Sequence, residues 1–262
     1  MIIAILIFVG ILLTGAAGYK SKSLTRSGAF AAILVGLAVY LGFGENGLFL
    51  LGVFFASSSF WSKYKSSDKS IIEEKLAKGA TRDWRQVAAN GGAAGLFSII
   101  QYFNNEMIWL VGFIVCLASA NSDTWASEIG SLSKKEPLYI RSFKRVEKGT
   151  SGAISLLGSL ASLAGSFLIS IIGFWLFDLS YFLTALVFLF GFFGNVIDTL
   201  IGAFYQQVYV CVKCGIETEK KRHCDLPTNR IKGSIFVDND MVNFLSGFVA
   251  AMSAIGVLYL NN

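Results

Sequence analysis

Residues 181–204 read YFLTALVFLFGFFGNVIDTLIGAF, an aliphatic and aromatic run interrupted only near its end by Asn195 and Asp198. A bilayer core takes about 20 residues of helix, and an open strand edge cannot be satisfied in lipid. The stretch therefore reads as a membrane-spanning helix. Working outward, seven further apolar blocks occupy 2–18, 28–43, 47–60, 87–103, 107–120, 152–177 and 236–260, the third and fifth of them short. The expected fold is all-α, a polytopic integral membrane protein of about eight transmembrane helices in a single membrane domain over 1–262. Composition agrees: 54% of the 262 residues are apolar and only 15% charged, against roughly 25% charged in soluble domains. A disordered chain, a collagen and a disulfide scaffold are excluded, and a soluble enzyme is disfavoured.

The charges supply the topology. All 22 Lys and Arg fall in 20–26, 63–85, 134–148 and 213–232, whereas the intervening turns carry Glu45, Glu106 and Asp178. Every second loop is basic, so the positive-inside rule puts loops 19–27, 61–86, 131–151 and 205–235 in the cytoplasm and both termini outside. This distribution explains the net charge of +5 without nucleic acid. The first block lacks a basic leader, so it reads as a helix and not as a cleaved signal. A faint 4+4 repeat shows in Ser27-Gly28-Ala29 and Ser151-Gly152-Ala153, each expected to open a helix.

Three apolar blocks carry polar residues toward their basic ends: Asn121-Ser122-Asp123 with Ser127 and Glu128, Asn195 with Asp198, and Asp238-Asn239-Asp240 with Asn243. Asn195 and Asp198 are three apart, as are Asp240 and Asn243, so each pair shares a helix face. Ionisable groups in a span are expensive and point to function. Acidic and amide oxygens from three helices at one depth suit Mg²⁺, which completes its shell with substrate phosphates; interhelical hydrogen bonding and capping are the alternative. The basic loops supply the counterpart. Arg141, Lys144 and Lys148 precede Gly149-Thr150-Ser151-Gly152, a turn read as opening a helix whose free N–H groups favour phosphate. Arg82 marks a second such segment before the fourth helix.

The last loop holds Cys211-x2-Cys214 and then His223-Cys224, with the chain's single His. On the reducing side of a membrane this pattern points to a structural Zn²⁺ site and not to disulfides, although adjacent His and Cys depart from the usual spacing. No nucleophilic triad or Walker A loop accompanies these groups. Metal-type carboxylates, phosphate-type loops and a lipid-facing body together suit phosphoryl or nucleotidyl transfer to a lipid.

At Asn121–Gly130, Lys148–Ser155, Gly194–Ala203, Gln206 and Asp238–Asn243 the sequence resembles an integral membrane family whose plant members are phytyl-phosphate kinases of the vitamin E pathway. The resemblance implies transfer from a nucleoside triphosphate, CTP foremost, to an isoprenyl monophosphate. On that footing Asp123, Asp198 and Asp240 organise Mg²⁺; Asn121, Asn195 and Asn243 orient phosphate or metal-bound water; Lys148 and Arg141 neutralise developing charge. Glu128, Lys144, Gly149, Thr150, Ser151, Asn239 and Arg82 complete the nucleotide and phosphate contacts, and the Phe-rich block 181–204 walls the isoprenyl tail. A lipid cytidylyltransferase making a CDP-lipid and a membrane transporter are the rival readings.

Overall fold

The computed structural model describes residues 2–65, 72 and 75–261; the loop expected over 61–86 lies partly outside them. Among the described residues the helices are α1 (Ile2–Lys20), α2 (Arg26–Lys63), α3 (Trp84–Asn104), α4 (Met107–Gly130), α5 (Leu156–Phe177), α6 (Tyr181–Phe204) and α7 (Asn239–Asn261). All but α3 include a stretch long and apolar enough to cross a membrane.

The second and third apolar blocks both lie in α2, which is not a straight rod. Gly44 has φ 60° and ψ −147°, a conformation reserved almost entirely for glycine. The chain turns back there. A Cβ on Gly47 would stand 2.9 Å from Val39 Cγ1, and one on Gly36 would stand 3.9 Å from Leu48 Cδ2. In a straight helix residues eight or twelve apart would be on the order of 12–18 Å apart along the axis. Limbs 26–43 and 45–63 therefore pack side by side.

Local chemistry sets the other boundaries. Thr25 and Ser155 cap α2 and α5 by accepting from Gly28 N at 3.1 Å and Gly158 N at 3.0 Å. Asp83 and Gln86 form a capping box on α3. Asn105 and Asp178 end α3 and α5 in the left-handed conformation their short side chains tolerate. The core surrounds α4, where Val111, Phe113, Ile114, Val115, Leu117 and Ala118 are fully buried. It packs against α2, α3, α5, α6 and α7. With no hydrophobic force between helices in lipid, close approach relies on small residues. A Cβ on Gly194 of α6 would stand 1.9 Å from Ser119 Oγ on α4.

The four basic loops meet at one end of the bundle. Thr25 N donates to Arg82 O at 2.9 Å and Arg82 N to Ser23 O at 3.0 Å. Glu219 N donates to Lys75 O at 2.8 Å, and Lys75 pairs with Glu147. At the other end Asn46 Nδ2 donates to Leu176 O at 2.7 Å.

Two of these loops are built, not irregular. Strands β1 (Leu138–Tyr139), β2 (Lys144–Arg145) and β3 (Ala153–Ile154) form one small antiparallel sheet, ordered β2-β1-β3. Strands β4 (Val208–Cys211), β5 (Glu217–Thr218), β6 (Arg222–His223) and β7 (Leu226–Lys232) form another, ordered β5-β4-β7-β6. Ser151-Gly152-Ala153 therefore does not open a helix, and the suspected echo of Ser27-Gly28-Ala29 fails there. Gly152 has φ +83°, and a Cβ on it would lie 2.4 Å from Ala203 Cα; α5 begins only at Leu156.

Candidate active site

A cleft of about 830 Å³ opens at the basic end, between α4, α6, the first turns of α7 and the loops. Asp123 and Glu128 reach it from the last turns of α4, Asn195, Asp198 and Thr199 from α6, and Asp240 and Asn243 from α7. Asp198 Oδ2 accepts from Ser246 Oγ at 3.2 Å. With the Asn243 amide oriented by its neighbours, its nitrogen also donates to Asp198 Oδ2 at 3.1 Å and to Asn239 O at 3.1 Å. Asp123 is near enough for its charge to act on Asp198. Both are half-buried, and among the described residues neither forms an ion pair. Two neighbouring carboxylates without a counter-cation fit a hard divalent cation that keeps open positions for phosphate oxygens.

Asp240 is differently placed. Lys78 Nζ reaches its Oδ2 at 2.6 Å and Asp83 Oδ2 at 2.9 Å. Arg85 bonds Asp238 at 2.7 Å and lies 3.6 Å from Asp240. Asp240 thus ties the loop before α3 to the start of α7, and it is paired with cations where Asp123 and Asp198, among the described residues, are not.

Cations face the carboxylates. Lys148 Nζ donates to Ser131 O at 3.1 Å, which holds it along the wall. Arg82 donates to Ser59 Oγ at 3.0 Å and Ser62 Oγ at 3.5 Å. The turn between β5 and β6 adds Lys220 and Lys221, and the start of β6 adds Arg222. Glu219, just before them, also lines the cleft and belongs to a chain of polar contacts. Ser151 Oγ donates to Gln206 Oε1 at 2.6 Å, and Gln206 Nε2 donates to Glu219 Oε1 at 2.7 Å. Burial pushes the Glu219 carboxyl up to about 7, against hydrogen bonds from Ala77 N–H and Gln206.

The same sheet carries a knuckle. Cys211 and Cys214 sit where β4 turns into β5, with Gly215 at φ +75°. His223 and Cys224 sit where β6 turns into β7. Cys214 Sγ and Cys224 Sγ lie 3.4 Å and 3.2 Å from His223 Nδ1. One ligand atom from each of the four residues falls within 4.8 Å of the others. Hydrogen bonds led by the Cys214 N–H lower the Cys211 thiol to about 6, toward the thiolate that binds metal. Two hairpin tips thus bring together four residues whose spacing departs from the usual pattern, and the set fits tetrahedral Zn²⁺.

A family model described as Integral membrane protein DUF92 matches residues 9–251. The chain belongs to the DUF92 family of integral membrane proteins. An uncharacterised membrane protein of Methanocaldococcus jannaschii is 35% identical to it over 192 residues, 72% of this chain and 77% of that one. Protein PGR of Arabidopsis thaliana is 30% identical over 268 residues, 92% of each chain. The chloroplastic protein VTE6 of the same plant is 30% identical over 189 residues, 70% of this chain and 57% of that protein. No solved structure matches the chain.

In this DUF92 protein the cleft gathers Asp123, Asp198, Asp240, Lys148, Glu128, Gly149, Thr150, Ser151, Asn195, Asn239, Asn243 and Arg82. Three expected phosphate contacts fall elsewhere. Asn121 is fully buried; it donates to Gly165 O at 2.8 Å and accepts from Ser57 Oγ at 2.9 Å and Ser58 Oγ at 3.2 Å, so it fastens α4 to α5 and α2. Arg141 is exposed over the Phe204 ring at 6.0 Å, and Lys144 is exposed in β2; neither lines the cleft. Gly149 and Gly152 line it through turns of positive φ, not through a helix N-terminus. The residues missed in the sequence are Glu219 and the basic turn after it. Their one signal is an acid immediately before the basic run Lys220, Lys221 and Arg222.

Proposed function

We propose that this protein is a lipid-monophosphate kinase, transferring a phosphoryl group from a nucleoside triphosphate, CTP foremost, to a phytyl- or geranylgeranyl-phosphate-like acceptor. The observation that carries the reading is the pair Asp123 and Asp198, without an ion pair among the described residues, sharing one cleft with Lys148, Arg82, Lys220, Lys221 and Arg222. Phosphoryl transfer is catalysed mostly by positioning and charge neutralisation, and this cleft offers both. The resemblance to plant phytyl-phosphate kinases and the likeness to VTE6 support the same chemistry.

An acceptor that already bears phosphate presents an ionised oxygen, so no general base is required. That oxygen forms a bond to the γ-phosphorus while the bond to the β,γ-bridging oxygen breaks; the nucleoside diphosphate leaves with the electron pair. Lys148 and Arg82 steady the phosphates, and Asn195 and Asn243 orient oxygens beside Asp198. Mg²⁺ would be held by Asp123 and Asp198, where it would neutralise charge on the phosphates. Asp240 would hold the rim through Lys78. Zn²⁺ would be held by Cys211, Cys214, His223 and Cys224 as a closed structural site. Positive-inside orientation puts the cleft on the cytoplasmic face of an eight-span, multi-pass cell-membrane protein with both termini outside.

The test is product analysis in proteoliposomes given CTP or ATP with geranylgeranyl phosphate. The reading expects the lipid diphosphate. A CDP-lipid would make the protein a cytidylyltransferase, and translocation without covalent product would make it a transporter.

A further inference from the structure

Beside the cleft lies a second cavity, about 490 Å³, between α1, both limbs of α2 and the first turns of α3. Its walls are almost wholly apolar, formed by side chains such as Ile7, Ile11, Leu48, Leu51 and Phe55. Its inner end is Arg82, Gln86 and Asn90, and these three residues line the polar cleft as well. The two cavities thus adjoin, with Arg82, Gln86 and Asn90 forming the wall they share. Arg82 lies over the Phe55 ring at 5.9 Å, while its nitrogens donate to Ser59 and Ser62. The cation is fixed where apolar wall gives way to phosphate-type chemistry.

We propose that this groove holds the hydrocarbon chain of the lipid acceptor, with Arg82 receiving its phosphate at the end shared with the cleft; the inference rests on the lipid-phosphate reading above. The shape selects an amphiphile with an anionic head and an apolar body. The volume falls within the roughly 300–1,000 Å³ that accommodates one drug-sized molecule, which favours a single isoprenyl chain over a two-chain phospholipid. The Phe-rich α6, expected to wall the tail, contributes nothing to the groove. It turns Phe182, Leu189 and Phe193 outward instead. Gly10 and Gly52 line the groove and have no heavy atom within 4 Å of the place a Cβ would take. The room they leave is available to a ligand.

The experiment uses the full-length protein in nanodiscs and geranylgeranyl phosphate carrying a diazirine on its terminal isoprene. Photolabelling is expected on peptides spanning 7–15 and 48–56, suppressed by unlabelled geranylgeranyl phosphate. Labelling on α6, or labelling that the competitor does not suppress, would overturn the groove. Gly10→Leu and Gly52→Phe fill the groove from open positions. They are expected to raise KM for geranylgeranyl phosphate about tenfold or more, because several methylenes lose their burial. KM for the nucleotide and turnover of a five-carbon prenyl phosphate should not change. An equal loss with the long and the short acceptor would contradict the proposal. If the wild-type protein phosphorylates neither acceptor, the kinase reading fails by itself, and the photolabelling map still decides the groove.

Discussion

Asp123 and Asp198 stood out in the sequence because a carboxylate inside an apolar run has few bland explanations. Asn121 misled for a reason of helix geometry. It is two positions from Asp123, a rotation of about 200° at 3.6 residues per turn. When Asp123 faces the cleft, Asn121 faces the packing against α5 and α2. The two aspartates of the pair and the one outside it are expected to behave differently. Asp123→Asn and Asp198→Asn should each lower turnover on the order of 10²-fold or more, and the double variant should lose little beyond either single one. Raised Mg²⁺ or Mn²⁺ should partly rescue the singles. Asp240→Asn, which weakens one of the two carboxylate contacts of Lys78 and of Arg85 while Asp83 and Asp238 keep theirs, should cost less, with no metal rescue. Steady-state kinetics over a metal titration separates the cases. Glu219 yields a pH prediction. Its folded carboxyl is raised from 4.5 to about 7 by burial. The native state therefore holds a proton that the unfolded chain has released. That contribution to stability is complete below about pH 4.5 and is lost as pH rises through about 7. Melting curves from pH 5 to 8 should fall with pH in the wild type and flatten in Glu219→Gln, which still accepts from Gln206. Equal slopes would remove Glu219 from that role.

At the scale of elements, apolar blocks showed where helices lie but not what the loops build. Composition marks a loop as basic; it does not say that residues 208–232 fold into four strands. That sheet sets Thr218 Oγ1 on Lys75 O at 2.7 Å and so leads Glu219 and the basic turn to the cleft. Only long-range pairing creates this part of the site, so no local pattern could reveal it. The knuckle therefore does more than tidy a remote loop, because β5 connects it directly to cleft residues. Elemental analysis should find about one Zn per chain, absent from a Cys211→Ser/Cys214→Ser variant. That variant should keep its helical circular dichroism while turnover falls. Full turnover without zinc would reduce the knuckle to a spectator.

For the whole molecule, the alternation of basic and weakly acidic loops in the sequence anticipates the two ends of the bundle, and the loops do converge at one end. Gly44 is what reconciles the 38 residues of α2 with that alternation, since it returns the chain to the basic end. Cysteine substitutions at Glu45 and Lys134, probed with an impermeant maleimide in right-side-out vesicles, should label from outside only at 45. Labelling of both from one side would undo the orientation.

The central claim concerns which phosphorus moves. Incubating the protein with geranylgeranyl phosphate and either α-labelled or γ-labelled CTP, then counting the extracted lipid, tests it most directly. The account predicts lipid-borne label from γ-labelled CTP only, at a rate that collapses in Asp198→Asn. Label from α-labelled CTP, or no label in the lipid from any nucleotide, would contradict it.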